Sequence, residues 1–280
     1  MNIIEIKEIL NKLALDKNNY CILGSASLVI RDIKKTANDI DILITKEEFK
    51  KIKDDIESID YTIVEKIDKT IEWYDNYPLQ TLEEMLKNKT KKNLDKDKAT
   101  IEILKQEISN REKTGEYVDL YDANKNKLNE IVFRKKGEKS IVPNDRYIIV
   151  VVGIIKNNNK YLIQKSSKRK DNKYCLPGGH VKKDETSIEA IKNELYEEMK
   201  LLLAKDEIKL IKTYQYENAF KDVYIIRKNI DVESLSIEKE EVEEIEFLSI
   251  KEIEDKIKNN QFREHNIDIY NDIIKTSIIN

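Results

Sequence analysis

Residues 178–201, GGHVKKDETSIEAIKNELYEEMKL, restrict the fold more than any other stretch of the chain. A glycine pair that can turn the backbone sharply is followed by a helix whose side chains sort into an apolar and an acidic stripe. Thr186 and Glu189 form a capping box, which predicts a helix starting immediately after Glu185. At about 100° per residue, Ile188, Ile191, Leu195, Met199 and Leu202 share one face, while Glu194, Glu197 and Glu198 gather beside it. Burying the apolar face lines the rim of a core with carboxylates. Acids this close repel one another unless a cation lies between them. Mg²⁺, or Mn²⁺ in its place, takes hard oxygen ligands and shares substrate phosphates, so Glu194 and Glu198, one turn apart, are the expected metal ligands with Glu197 alongside. Gly178 and Gly179 let the backbone come close to a metal or phosphate. For Glu197 and Glu198 alone a solvated acidic face is the plainer reading; the PGG turn and Glu185 ahead of the helix favour a site.

A second constellation lies in residues 24–41, GSASLVIRDIKKTANDID. Asp39 and Asp41 alternate with Ile40 and Ile42, so a strand places both carboxylates on one face and both isoleucines in the core. Gly24 and Ser25 follow an apolar strand at residues 20–23 and open a helix whose amides can receive phosphate. The competing reading is an acidic strand end beside an ordinary loop.

A chain of 280 residues accommodates two domains. The 51 basic and 54 acidic side chains leave a net charge of −3, so no global field recruits nucleic acid. Cys21 and Cys175, without a secretory leader, read as reduced thiols of a cytoplasmic protein, and no apolar run reaches the ~20 residues that span a bilayer. Helical spacing covers residues 3–15, 46–59, 82–86 and 99–108; residues 61–64 and 70–73 are short strands. The polar segment 110–116, NREKTGE, is the expected boundary, giving domains 1–114 and 115–280. Strands follow at 117–121, 128–134, 147–155, 160–164, 208–214, 221–227 and 243–248. Ser249 and Glu252 cap a last helix, 250–258.

The C-terminal segment resembles the signature of the Nudix hydrolase family. Gly179, Glu185, Glu194, Leu195, Glu197, Glu198 and Leu201 match in register; Asn193 occupies the arginine place and Lys200 the final glycine place. The resemblance, over roughly residues 117–262, implies an α/β/α sandwich and Mg²⁺-assisted attack of water on a diphosphate, giving two phosphorylated products. Glu185 then orients its neighbours, Glu194 and Glu198 ligate, and Glu197 or Glu241 acts as base. Lys165, Lys168, Arg169 and Lys170 reach the other phosphate or form a surface cluster. Asn193 braces the glutamates less firmly than arginine, and Lys200 lacks glycine's access to the left-handed region. YVDLYDANKNKL and YLIQKSSKRKDNKYCLPGGHV look like the branch related to isopentenyl diphosphate isomerase, but Cys175 is not in the isomerase arrangement and the second half has no tryptophan, so hydrolase ranks above isomerase.

Residues 23–42 resemble the nucleotidyltransferase superfamily: an apolar residue and Gly-Ser, a spacer, then Asp-apolar-Asp-apolar. This implies a small α/β domain in which Asp39 and Asp41 hold Mg²⁺ and align an NTP for attack by a small-molecule acceptor. Glu72 is the expected third carboxylate, with Glu65 competing, and Lys87, Lys91 and Asp97 belong to a Lys-rich helical segment of such transferases. The leading expectation is a diphosphate hydrolase fused to this domain. The alternatives are an antibiotic or metabolite nucleotidyltransferase with an accessory Nudix domain, and a non-catalytic nucleotide sensor.

Overall fold

Short apolar strands build two separate sheets, the central ones buried along nearly their whole length, each covered by helices whose buried positions follow a helical repeat. The computed structural model describes residues 1–52, 58–138 and 141–276. Two compact units divide the chain, Met1–Arg146 and Tyr147–Asn280.

In the first unit, α1 (Ile3–Leu13) is capped by Asn2, whose side chain accepts from the amides of Ile4 and Glu5. It is followed by β1 (Tyr20–Ile22), α2 (Gly24–Ile30), β2 (Ile40–Thr45), α3 (Lys46–Phe49), β3 (Ile59–Val64), β4 (Ile71–Tyr74) and β5 (Tyr77–Gln80). After α4 (Leu82–Lys92) and α5 (Lys98–Thr114) come β6 (Gly115–Tyr121) and β7 (Lys127–Lys135). The sheet order is β3-β2-β1-β5-β4-β7-β6. Ile22, Ile40, Ile42 and Ile44 meet Ile6, Leu10, Val29 and Ile30 in one core, and Leu28 joins Leu82, Met85 and Leu104 in a second cluster. Among the described residues the expected helix over 46–59 appears as α3; residues 53–57, Ile56 among them, lie outside the described residues.

The division falls after Arg146, not after Thr114. Residues 110–114 continue α5, in which Arg111 is buried, and β7 pairs in parallel with β4 while β6 pairs with β7. NREKTGE is polar outside, yet its arginine is an internal anchor.

The second unit contains β8 (Ile148–Asn157), β9 (Lys160–Ser166), β10 (Tyr174–Cys175), β11 (Gly178–His180), α6 (Ser187–Met199), β12 (Ile208–Gln215), β13 (Ala219–Ile226), β14 (Val242–Ser249), α7 (Ile250–Lys258) and α8 (Ile267–Ile269), which runs into a π-helical turn, Tyr270–Ile274. The strand path β10-β9-β8-β13-β12 carries β11 on β8 and β14 on β9. Alternation along β8 sends Gly153 toward Ile191 and Leu195 of α6, whereas Val152 and Ile154 join Ile253, Phe262, Ile269 and Ile273 on the opposite face. That is a three-layer α/β/α arrangement. Both expected capping boxes are present, Thr186 with Glu189 and Ser249 with Glu252. His180 lies in β11 opposite Val150. Among the described residues no helix is long and apolar enough to cross a membrane.

Candidate active site

The apolar face of α6 seats Ile191, Leu195 and Met199 in the core, while Leu202, beyond the last helical turn, is 70 % exposed. The three glutamates therefore do not stand equal: Glu194 is half-buried, Glu197 exposed, and Glu198 only 6 % exposed. Gly178 and Gly179 pair with Val152 and Val151, which brings β11 under α6. A methyl group on Gly179 would lie 2.2 Å from Glu194 Cδ, so glycine is what lets this carboxylate rest on the backbone. Gly179→Ala is expected to push Glu194 aside and weaken any activity that needs it by about 10- to 100-fold, with little loss of stability because the obstacle ends a flexible side chain; steady-state kinetics and a melting curve check both.

Glu198 Oε2 accepts from Gln164 Nε2 at 3.0 Å across the interface between α6 and β9. Burial pushes its carboxyl up to about 7, against the Gln164 hydrogen bond and the charge of Lys170. Glu185 is fixed at the helix entrance: its Oε2 accepts from the Lys182 amide at 3.0 Å and its Oε1 from Asn193 Nδ2 at 2.6 Å. Asn193 thus braces a member of the acidic set from the position where the family pattern has arginine. Glu197 accepts from Lys182 Nζ through both oxygens, at 3.0 and 3.1 Å. Glu241 pairs with Lys170, and Arg169 with Glu240 at 3.0 Å. Lys165 covers the Tyr174 ring at 5.5 Å, and Lys168 is exposed. Of the expected basic cluster, only Lys170 is thus paired with a carboxylate of the site.

Lys200 does enter the left-handed region, φ 57°, which corrects the expectation drawn from its missing glycine. The reason is the helix stop: its amide bonds the Tyr196 carbonyl at 2.9 Å and the next amide, of Leu201, bonds the Leu195 carbonyl. A non-glycine residue there costs roughly 1–2 kcal/mol. Lys200→Gly is expected to recover about 0.5–1 kcal/mol, read as a higher denaturation midpoint.

Among the described residues no three His, Cys, Asp or Glu side chains close into a metal cage. Glu194 and Glu198 nevertheless fit a hydrated divalent ion, which needs only one or two carboxylates and fills its shell with water and phosphate. Sequence reasoning missed Gln164 and Lys182. The signal for the first was a glutamine where the run YLIQ turns toward the core.

In the first unit Asp41 lies against Gly24: a methyl on Gly24, whose φ is +57°, would sit 2.6 Å from Asp41 Oδ2. Burial, then Asp39 and Asp60, push the Asp41 carboxyl above its ordinary range. Asp60 is the register partner of Asp41 between the parallel strands β2 and β3. Ser25 is half-buried in the first turn of α2. Glu72 is not part of this group. It is fully buried, bonded to Arg31 Nη2 at 2.9 Å and Arg111 Nη1 at 2.6 Å, so both oxygens are taken and it is corrected from metal ligand to the centre of an ion cluster. Glu65 is exposed beside Lys46, Lys87 and Lys91 are exposed, and Asp97 pairs with Lys89 at 2.5 Å.

The NUDIX domain profile matches residues 146–269. An uncharacterized Nudix hydrolase of Listeria monocytogenes is 30% identical over 123 residues, 42% of this chain and 72% of that protein; one from Listeria innocua is 29% identical with the same coverage. Among solved structures, DR0079 from Deinococcus radiodurans aligns with a TM-score of 0.44 at 18% identity, covering 54% of this chain and 94% of that one. With the glycine turn, the capped helix and its glutamates in place, the profile match and the Listeria monocytogenes relative establish that the chain belongs, through its second unit, to the Nudix hydrolase family.

Proposed function

We propose that the second unit hydrolyses the diphosphate linkage of a nucleoside diphosphate derivative or related organic diphosphate with Mg²⁺ or Mn²⁺. The observation that carries this reading is the pairing of a buried Glu198, held by a neutral amide, with Glu194 resting on Gly179 one turn away. When bound, the ion supplies charge neutralisation and a more acidic water. Glu194 and Glu198 hold it, while Glu185, fixed by Asn193 and the Lys182 amide, keeps the helix entrance rigid. Glu197 and Glu241 are the bases on offer. Each is paired with a lysine, Lys182 or Lys170, that can turn to a substrate phosphate and free its carboxylate for a proton. Burial pushes the Cys175 thiol up to about 12, which supports hydrolysis over thiolate chemistry.

The test is a panel of an ADP-ribose-like compound, a dinucleotide and NTPs, assayed with Mg²⁺ on the full chain and on Glu198→Gln. Cleavage lost in the variant supports the reading. Binding without turnover in the unmutated protein would replace it with the nucleotide sensor.

A second reading rests on the first unit, where Asp41 against Gly24, with Asp39 and Asp60 near it, offers carboxylates whose repulsion a divalent ion would relieve. We assign nucleotidyl transfer to a small-molecule acceptor to this group, with Asp60 in place of Glu72 as third acid. Label transfer from an NTP should vanish in Asp39→Asn/Asp41→Asn; unchanged transfer eliminates the assignment.

A further inference from the structure

Gln164 occupies an unusual place for an amide. It is 3 % exposed on β9, with Cys175 on β10 and Ile245 on β14 as its register partners, so neither flanking side chain is charged. One N–H goes to Glu198, itself buried, and Gln164 Oε1 has no hydrogen-bond partner among the described residues. A buried acceptor left open is costly, and apolar side chains fill the inward positions nearby, Leu162 among them. Its chemistry suits the place better than either a hydrophobe or a cation would. A lysine or arginine here would pair with Glu198, as Lys182 pairs with Glu197, neutralise it and compete with a metal ion. A hydrophobe would leave the carboxylate without orientation. The amide fixes the carboxylate's direction and leaves its charge intact, which is how groups behind metal ligands tune a site.

We propose that Gln164 is a positioning residue for the diphosphatase site, holding Glu198 as an oriented anionic ligand and keeping its own carbonyl oxygen free to accept a hydrogen bond from water or a hydroxyl group entering the site. The inference rests on the hydrolase reading above, in that it takes Glu198 for a metal ligand.

The test is Mn²⁺ binding to the metal-stripped full chain without substrate, followed by electron paramagnetic resonance, for the unmutated protein, Gln164→Met, Glu198→Gln and the double variant. Gln164→Met is expected to bind about tenfold more weakly, and the double variant no more weakly than Glu198→Gln, because the amide acts through the carboxylate. Unchanged affinity in Gln164→Met while Glu198→Gln loses binding would overturn the role of Gln164 alone; so would losses that simply add. Unchanged affinity in Glu198→Gln would overturn the metal-site reading and the positioning role with it. Should Gln164→Met not fold, the unmutated protein decides: the side-chain amide resonance of Gln164 should move saturably on Mg²⁺ titration, and a resonance that stays still refutes the proposal.

Discussion

Glu198→Gln is expected to lower hydrolysis by roughly 10²–10³-fold, the scale of removing one electrostatic group from a preorganised site, while making the protein more stable at neutral and alkaline pH. The two effects have one cause. Burial holds the Glu198 carboxyl at about 7 against an ordinary 4.5, so the folded chain grips this proton more tightly than the unfolded chain does. Such a group favours the fold fully below about pH 4.5, and the advantage is lost as pH rises through 7. The gap corresponds to roughly 3 kcal/mol. Glutamine has the same shape and no charge, so urea titrations in a chelating buffer should show the variant ahead of the parent at pH 8 and level with it near pH 4.5. A variant that keeps its activity, or loses stability at pH 8, contradicts the assignment.

Glu72→Gln is expected to cost about 3–5 kcal/mol, the penalty for leaving buried charge uncompensated. Arg31 also donates to the carbonyls of Ser27 and Gln80, and Arg111 to Glu107 and the Tyr117 hydroxyl, so the cluster ties α2, β4, α5 and β6 together. Burial alone would raise the Glu72 carboxyl, but the two guanidinium groups outweigh it and hold it below its usual range. Removing one negative charge leaves two cations facing each other. Replacing Glu72, Arg31 and Arg111 together by methionine should restore most of the loss, since an apolar cluster of similar volume carries no desolvation penalty. A catalytic Glu72 would behave the other way, losing label transfer with the melting curve unmoved.

Both capped helices and most strands of the second unit were legible because each is specified locally. Thr186 with Glu189 and Ser249 with Glu252 announce their helices in four residues, and the run from Ile148 is a continuous apolar stretch of strand length. The carboxylates of α6 were legible as a set, but not their different fates. Which of Glu194, Glu197 and Glu198 is buried depends on β9 and β11, brought to the helix by long-range pairing. Glu72 misled for a similar reason: Ile-Glu-Trp has the pattern of a strand bearing a functional acid, and only the fold brings Arg31 and Arg111 to it. Strand β5, four residues containing Pro78, and the strands at 174–175 and 178–180 are too short for periodicity to reveal.

The β7 to β4 ladder has a practical corollary for recombinant fragments. A cut ahead of Gly115, inviting on polarity alone, would strip β7 from β4 and leave that strand's backbone donors and acceptors open to any extended chain nearby. Such a fragment would be prone to aggregate, whereas one ending at Arg146 keeps every pairing of its sheet and should remain monodisperse.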